Sequence, residues 1–158
     1  MTETIHSGGC QCGAVRFRIK GALGRASICH CRMCQKAFGG FFGPLVSVPS
    51  DALEWTRGQP SYFQSSVNID RGFCRDCGTP LTYRHPSGIE LSIGAFDKRD
   101  DLMPKIQVNY ASRIPWVKEI FNQPKRDEAE DYAKQEGVIS FQHPDHDTEA
   151  WPKHGLHL

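Results

Sequence analysis

Cys29-His30-Cys31-Arg32-Met33-Cys34 places three thiols close together in a C-x-C-x-x-C pattern. Spacing this short lets one chain segment direct three sulfurs at a single metal ion. Zinc prefers four tetrahedral ligands, so three cysteines leave one position open unless a distant residue fills it. An open position is typical of catalytic zinc, whereas four protein ligands are typical of structural zinc. His30 lies between two of the cysteines, and we expect its side chain to point away from the metal.

The remaining cysteines form two close pairs, Cys10 with Cys12 and Cys74 with Cys77. Two such pairs from distant parts of a chain can close one tetrahedral site of four thiolates. Gly13 and Gly78 directly follow the pairs, and a zinc-knuckle turn needs the positive φ that glycine adopts without strain. The spacing therefore predicts a four-cysteine site (Cys10, Cys12, Cys74 and Cys77) and a three-cysteine site (Cys29, Cys31 and Cys34).

Disulfides are the main alternative use of these thiols. Seven cysteines are an odd number, so at least one would stay unpaired. The first residues show neither the basic nor the apolar stretch of a signal peptide, which predicts a cytoplasmic protein and favours metal binding over disulfides. A second alternative makes both sites structural, with His6 or His85 as the fourth ligand of the three-cysteine site.

The composition excludes two classes of partner. The chain has 158 residues and a formal charge of +1, and no apolar run approaches the roughly 18 residues of a membrane span. A nucleic-acid binder typically carries a strong basic excess. We therefore expect neither a membrane nor a nucleic-acid partner. We expect one zinc-binding domain over residues 1–120 and a C-terminal extension over residues 121–158 that packs on the domain or trails from it, while the oligomeric state stays open.

Short strands dominate the hydrophobic pattern. Val15, Phe17 and Ile19 alternate with charged residues, which predicts a half-buried strand. Residues 53–57 and 61–65 flank a Gly-Gln-Pro turn and are interpreted as a hairpin. A short helix is expected over residues 33–38, ended by two glycines, with Cys34 in its first turn. Further strands are expected at 41–48, 67–73, 81–84, 89–93 and 106–110. The fold class predicted is mainly β, with short, mostly antiparallel strands and a few short helices.

The last forty or so residues differ in character. Residues 127–136 are highly charged and are expected to form a short surface helix. Four histidines of this tail raise the possibility of a third metal site: His143, His146, His154 and His157. Their spacing fits no single turn or helix face, which favours a loose polar tail.

Five segments together carry a family resemblance: residues 9–17, 29–36, 73–81, 94–97 and 112–116. These segments resemble the glutathione-dependent formaldehyde-activating enzyme family. They follow the same order along the chain as in that family, and all seven cysteines match its pattern. The resemblance implies a β-tent fold, and it implies two zinc ions per chain, a structural one on the four-cysteine site and a catalytic one on the three-cysteine site. It also implies a carbon–sulfur lyase that joins glutathione to formaldehyde as S-hydroxymethylglutathione. The family often carries a histidine in the strand after Pro104, where this chain has Gln107.

A small thiol and a small electrophile are therefore the expected partners. Glutathione has two carboxylates, for which four cations are candidates by their closeness to the motifs: Arg32, Lys36, Arg71 and Arg113. Four aromatic residues either wall a pocket or belong to the core: Phe38, Phe41, Phe42 and Trp116. Asp97 is the carboxylate to test first as a general base, although it also suits a turn.

Two rival functions use the same motifs. A zinc-stabilised binding module without chemistry would use both sites as scaffolds, since a fold alone does not decide a function. A thiol redox switch would use Cys31 and Cys34, whose spacing matches the redox motif although no βαβ context accompanies it.

Overall fold

A computed structural model describes residues 4–125 and 134–151. The elements that lie wholly within these residues are ten β-strands, one α-helix and four 3-10 helices. The strands are β1 (Ile5–Gly9), β2 (Arg16–Lys20), β3 (Ala26–Cys29), β4 (Gly43–Val48), β5 (Leu53–Arg57), β6 (Ser61–Ser66), β7 (Ile69–Phe73), β8 (Pro80–His85), β9 (Gly88–Ser92) and β10 (Ile106–Val108). The helices are α1 (Arg32–Phe38) and the 3-10 helices Ile93–Ala95, Arg99–Asp101, Tyr110–Ser112 and Val117–Asn122. The mainly β prediction is confirmed.

The strands divide into two sheets. One has the order β1-β2-β5, and the other has the order β10-β3-β4-β9-β8-β7-β6. Among the ten strands described, every pairing is antiparallel except that of β10 with β3, which is parallel and sets Val108 opposite Cys29. This one parallel pairing matters for the site, because it carries the residues after β10 to the first cysteine of the C-x-C-x-x-C pattern.

The hairpin predicted around residues 58–60 is wrong. β5 pairs with β2, whereas β6 pairs with β7, so the two strands belong to different sheets. Pro60, directly before β6, has no amide hydrogen with which to pair the two strands. The rings of Phe17 on β2 and Trp55 on β5 meet edge to face with centroids 6.1 Å apart. Packing against β2 thus decides the partner of β5.

The core lies where β2 meets the larger sheet. Phe17 and Ile19 are fully buried, as their alternation predicts, and the Phe17 ring lies 5.0 Å from that of Phe96. Arg16 departs from the pattern because it is only 3% exposed, although the alternation assigns it to the solvent face. Its guanidinium bonds both carboxylate oxygens of Asp97, at 2.9 and 2.6 Å, which compensates the buried charge.

Helix α1 agrees with its prediction. It begins after Cys31, and Gly39, in a left-handed conformation, caps its C-terminus. Within residues 4–125 and 134–151, no helix has the length and apolar character needed to cross a bilayer.

The C-terminal residues are not a loose tail throughout. Residues 142–148, called the strap below, lie against the body of the protein. His143 is buried, and its amide donates to the carbonyl of Gln11 at 2.8 Å. Asp147 pairs with Arg16 at 2.9 Å and with Arg18 at 3.0 Å. Of the predicted helix at 127–136, residues 127–133 lie outside the described residues, as do His154 and His157; residues 134–136 are helical.

Candidate metal centres

The four-cysteine site is assembled from two distant loops. The sulfurs of Cys10, Cys12, Cys74 and Cys77 all lie within 4.8 Å of one another. The Sγ–Sγ distance is 3.6 Å from Cys10 to Cys12 and 3.8 Å from Cys12 to Cys74. Four sulfurs held tetrahedrally at the usual zinc–sulfur bond length would be separated by about 3.8 Å. The donor set and its spacing therefore fit a tetrahedral ion such as zinc.

Two tight turns present these sulfurs. Gly13 has φ 73° and donates to the carbonyl of Cys10 at 3.1 Å, and Gly78 has φ 78° and donates to that of Cys74 at 2.8 Å. Both positive values match the prediction for zinc knuckles. The amide of Val15 donates to the Cys10 sulfur at 3.2 Å, which stabilises a thiolate there.

Electrostatics differ among these four thiols. Burial raises the pKa of Cys12 to about 11 and raises the pKa of Cys10 still further. Burial also raises the pKa of Cys77, but hydrogen bonds from the Thr79 hydroxyl and amide, together with those from Cys12, outweigh it and lower that pKa to about 7. Four thiolates packed this closely need a cation, because each charge disfavours its neighbours.

The strap covers one of the two turns. The His143 ring lies directly over Gly13, where any side chain on residue 13 would collide with it, and the His143 ring centroid is 5.0 Å from that of Trp151. The Arg57 guanidinium donates to the Gly13 carbonyl at 3.1 Å and also to the carbonyl of Thr148. His143 thus packs on the loop of the four-cysteine site. It is not part of a metal-ligating cluster among the described residues.

The three-cysteine site lies where β3 ends and α1 begins. The sulfurs of Cys29, Cys31 and Cys34 lie within 4.8 Å of one another. Cys31 is the N-cap of α1, and its sulfur accepts a hydrogen bond from the Cys34 amide at 3.4 Å. Cys29 and Cys34 are buried, whereas Cys31 is partly exposed. The trio is therefore reachable from solvent on the Cys31 side.

A hydrogen bond couples the ionisation of the two buried thiols of the trio, Cys29 and Cys34. A hydrogen bond from Cys34 lowers the pKa of Cys29 to about 4, against the opposing effect of burial. The same hydrogen bond, together with burial, raises the pKa of Cys34. The protein groups alone thus favour one thiolate across this pair, and ionising all three sulfurs needs a cation among them.

None of the candidate fourth ligands lies with the trio. Among the described residues, the cluster contains only the three cysteines. His30 is buried and points away, with Nε2 bonded to Oε1 of Gln107 at 2.8 Å, as expected of its side chain. The His85 ring lies 5.6 Å from the ring of Tyr83 instead, and His6 lies beside Asp97 and the strap. The described residues leave a fourth position open.

Two side chains donate hydrogen bonds to sulfurs of the trio. Arg71 Nη2 lies 3.4 Å from Cys34 Sγ, and Asn109 Nδ2 lies 3.3 Å from Cys29 Sγ. The sequence marked Arg71 only as one of four candidate partners of substrate carboxylates, with a surface charge as the alternative, and placed Asn109 inside a strand, so neither role was predicted. Asn109 in fact follows β10 with a left-handed φ of 52°. Asparagine tolerates that conformation better than most residues, which is the one local signal that marks it.

The other predicted cations lie in different surroundings. Arg32 bonds its helix neighbour Gln35 at 3.3 Å, and Arg113 covers the Tyr110 ring at 4.2 Å. Arg32 and Lys36 line a groove of apolar character between α1 and β6. The remaining groove residues are Met33, Ala37, Phe63 and Ser65.

Asp97 is not placed as a general base for the trio. Its side chain is 6% exposed and is bound by Arg16 and by the Ser7 hydroxyl at 2.6 Å. It lines a small depression with Cys10 of the four-cysteine site. A carboxylate held by a buried guanidinium is a structural ion pair, so the expectation of a catalytic Asp97 is not supported.

None of the four predicted aromatic residues belongs to the hydrophobic core, and two of them are exposed. Phe41 is 44% exposed and Trp116 is 50% exposed, and their rings meet edge to face at 5.1 Å. Phe38 and Phe42 are partly buried, and the Phe42 ring lies 5.8 Å from that of His30. The Gln35 side-chain amide connects the three-cysteine segment to the end of the 3-10 helix Tyr110–Ser112, because it donates to the carbonyls of His30 and Ser112.

Comparison with known proteins gives one family match. The model of the family described as glutathione-dependent formaldehyde-activating enzyme matches residues 5–112. The crystal structure of a Rhodobacter sphaeroides protein, a structural genomics target, is 21% identical to this chain with a TM-score of 0.49. That alignment covers 64% of this chain and 98% of the other.

Proposed function

Because the chain belongs to the glutathione-dependent formaldehyde-activating enzyme family, we propose that it is a zinc-dependent carbon–sulfur lyase. Its substrates are a small thiol, glutathione or a similar one, and formaldehyde or another small electrophile. Zinc on the four-cysteine site is structural, and zinc on the three-cysteine site is catalytic. Because the thiols must stay reduced, we assign the protein to the cytoplasm.

One observation carries the proposal. Four cysteines converge at one site and three at the other, and within the described part of the chain no further ligand joins the three. The two sites share their donor chemistry, so the difference in ligand number is what separates a closed site from an open one. The partial exposure of Cys31 gives an incoming thiol a route to the open position.

The chain's own residues perform binding and orientation. When bound, zinc supplies a positive centre that accepts a thiol sulfur and favours its deprotonation. Cys29, Cys31 and Cys34 hold that centre at the start of α1. In the net reaction the thiol sulfur forms a bond to the carbonyl carbon, the carbon–oxygen π bond breaks, and the thiol proton ends on the carbonyl oxygen. Holding both reactants together makes the step effectively unimolecular.

Arg32 and Lys36 suit the carboxylates of a glutathione-like thiol. Both line the groove between α1 and β6, beside the helix that carries Cys34. Either cation alone is an ordinary surface charge, worth about 1 kcal/mol or less. Two cations beside one groove match a substrate with two separated carboxylates.

The decisive test combines metal analysis with turnover. The purified chain should contain two zinc equivalents, and glutathione should change the spectrum of the cobalt-substituted protein by entering the open position. Carbon-13 formaldehyde with glutathione should give S-hydroxymethylglutathione faster than without protein. Serum albumin and Cys31→Ser serve as controls. A spectrum that no thiol alters would leave a zinc-stabilised binding module instead.

A further inference from the structure

Arg71 presents a buried positive charge that pairs with no carboxylate among the described residues. The residue lies on β7 and is only 4% exposed. In the described part of the chain, none of its ion-pairing distances to an Asp or Glu falls within 4.0 Å. A buried charge is costly unless it is paired and hydrogen-bonded. An anion of another kind should therefore lie beside it.

The Cys34 sulfur occupies that place. Arg71 Nη2 lies 3.4 Å from Cys34 Sγ, in a buried contact between residues 37 positions apart. Two further contacts orient the guanidinium: Nε donates to the Ser65 hydroxyl at 3.1 Å, and the Tyr83 ring lies 4.8 Å away. These contacts hold the guanidinium against the Cys34 sulfur.

We propose that Arg71 is the fixed counter-cation of the three-cysteine site. It is a positioning residue that keeps Cys34 available as a metal-bound thiolate. The proposal rests on the proposed function only in requiring a metal ion at the trio. Three thiolates and a divalent ion carry a net charge of −1, and the guanidinium neutralises it inside the protein.

The four-cysteine site offers a contrast. Its sulfurs accept hydrogen bonds from neutral groups, the Val15 amide and the Thr79 hydroxyl. Within residues 4–125 and 134–151, no hydrogen bond joins them to a guanidinium or ammonium group. Each thiolate adds one negative charge, so a nearby cation stabilises a metal site that accepts a fourth, exogenous thiolate. Arg71 would therefore also favour binding of the incoming sulfur.

The test replaces Arg71 by methionine in the full chain and measures zinc affinity by chelator competition. Outer-sphere partners of metal ligands typically contribute about 10- to 100-fold to metal affinity. Arg71→Met should therefore weaken one of the two zinc equivalents by about that factor and leave the other unchanged. Arg71→Lys, which keeps the charge, should recover part of the loss. The thiol affinity of the cobalt-substituted protein should likewise be highest in the wild type, lower in Arg71→Lys and lowest in Arg71→Met.

Arg113→Met is the matched control. Arg113 also covers a tyrosine ring, at 4.2 Å, but its guanidinium donates a hydrogen bond to the Tyr110 carbonyl rather than to a sulfur. It should leave both zinc affinities at their wild-type values. Equal weakening by both arginine variants would overturn the proposal, as would wild-type affinities in Arg71→Met.

A milder variant covers the case in which Arg71→Met does not fold. Ser65→Ala removes only the hydroxyl that orients the guanidinium, so it should weaken the same zinc equivalent by a smaller factor. Unchanged affinity in Ser65→Ala would then count against the proposal. A wild-type chain that binds one zinc only would defeat the proposed function itself, whereas two wild-type equivalents unaffected by Arg71→Met would defeat this inference alone.

Discussion

The Asn109 side-chain amide donates a hydrogen bond to the Cys29 sulfur at 3.3 Å, although the two residues are 80 positions apart in the chain. The contact depends on two features. The parallel pairing of β10 with β3 sets Val108 opposite Cys29. The left-handed conformation of Asn109, with φ 52°, then turns the chain out of the strand at the next residue.

Removing this amide should weaken metal binding at the trio. Asn109→Gly keeps the backbone free to adopt a positive φ while deleting the donor, so we expect about a tenfold loss in zinc affinity with little change in the melting temperature. Asn109→Ala deletes the same donor and adds backbone strain, so it should also lower the melting temperature. Chelator competition and calorimetry distinguish the two effects. Wild-type zinc affinity in the glycine variant would show that the contact is incidental.

Serine substitutions should separate the roles of the two sites. Cys31→Ser removes a partly exposed ligand at the helix start, so bound zinc should fall from two equivalents toward one while the circular dichroism spectrum stays native. Cys12→Ser breaks the site that joins residues 10–12 to residues 74–77, so it should destabilise the whole fold. Metal analysis and thermal unfolding provide the comparison. Unfolding of both variants would mean that the trio is structural too.

Chelator treatment should remove the metal ions in order. The trio is expected to lose its ion first, because Cys31 is accessible and a three-protein-ligand site is easily attacked. Loss from the four-cysteine site should follow and coincide with unfolding, since structural zinc can contribute of the order of 10 kcal/mol to folding. A time course with a chromogenic chelator, recorded together with tryptophan fluorescence, checks this order. A single kinetic phase for both ions would contradict it.

The strap should loosen in mild acid. Burial, and then the charge of Arg16, lower the pKa of His143 below its ordinary 6.5; Arg57 adds to this lowering, whereas the Pro144 carbonyl and the Asp97 carboxylate oppose it. Because the folded state disfavours the protonated ring, the strap's stability is complete above about pH 6.5 and falls as the pH drops below that value. Hydrogen exchange of residues 142–148 at pH 7.5 and 5.5 measures the difference.

Two variants serve as controls for this pH effect. His143→Gln should make strap exchange nearly independent of pH over that interval, whereas substitution of the exposed His146 should leave the pH dependence intact. Protonation of Asp147 does not contribute to the pH dependence between pH 7.5 and 5.5. Although burial raises its pKa, hydrogen bonds from Arg16 and Arg18 lower it below 3.8, so its stabilising charge persists at pH 5.5. Equal exchange at both pH values in the wild-type chain would contradict the prediction.

Asp97→Asn should destabilise the protein without altering the trio. In the part of the chain that the structure describes, it leaves the buried Arg16 guanidinium with only the partly exposed Asp147 as an anionic partner. Breaking a buried ion pair typically costs about 3–5 kcal/mol, and the second carboxylate should reduce that cost. Denaturant unfolding gives the free energy, and zinc affinity of the trio should match the wild type. A lost turnover in stably folded Asp97→Asn would restore Asp97 as a candidate general base.

Local features of the site could be predicted because they depend on neighbours in the chain. The grouping of Cys29 with Cys31 and Cys34, the start of α1 at the trio, and the positive φ of Gly13 and Gly78 all follow from spacing and residue type over a few positions. The alternation in β2 likewise predicts the buried Phe17 and Ile19. It fails at Arg16, whose partner Asp97 is 81 residues away.

By itself, then, the sequence determined the family, the mainly β character and the division of seven cysteines into four and three. Only the tertiary structure decided which side chains face those sulfurs, that β5 and β6 enter different sheets, and that His143 lies over Gly13. The physical reason is that turns, caps and knuckles are set by conformational preferences of adjacent residues. The contacts of Arg71 with Cys34 and of Asn109 with Cys29 instead depend on strand order and register, which the packing of the whole chain determines.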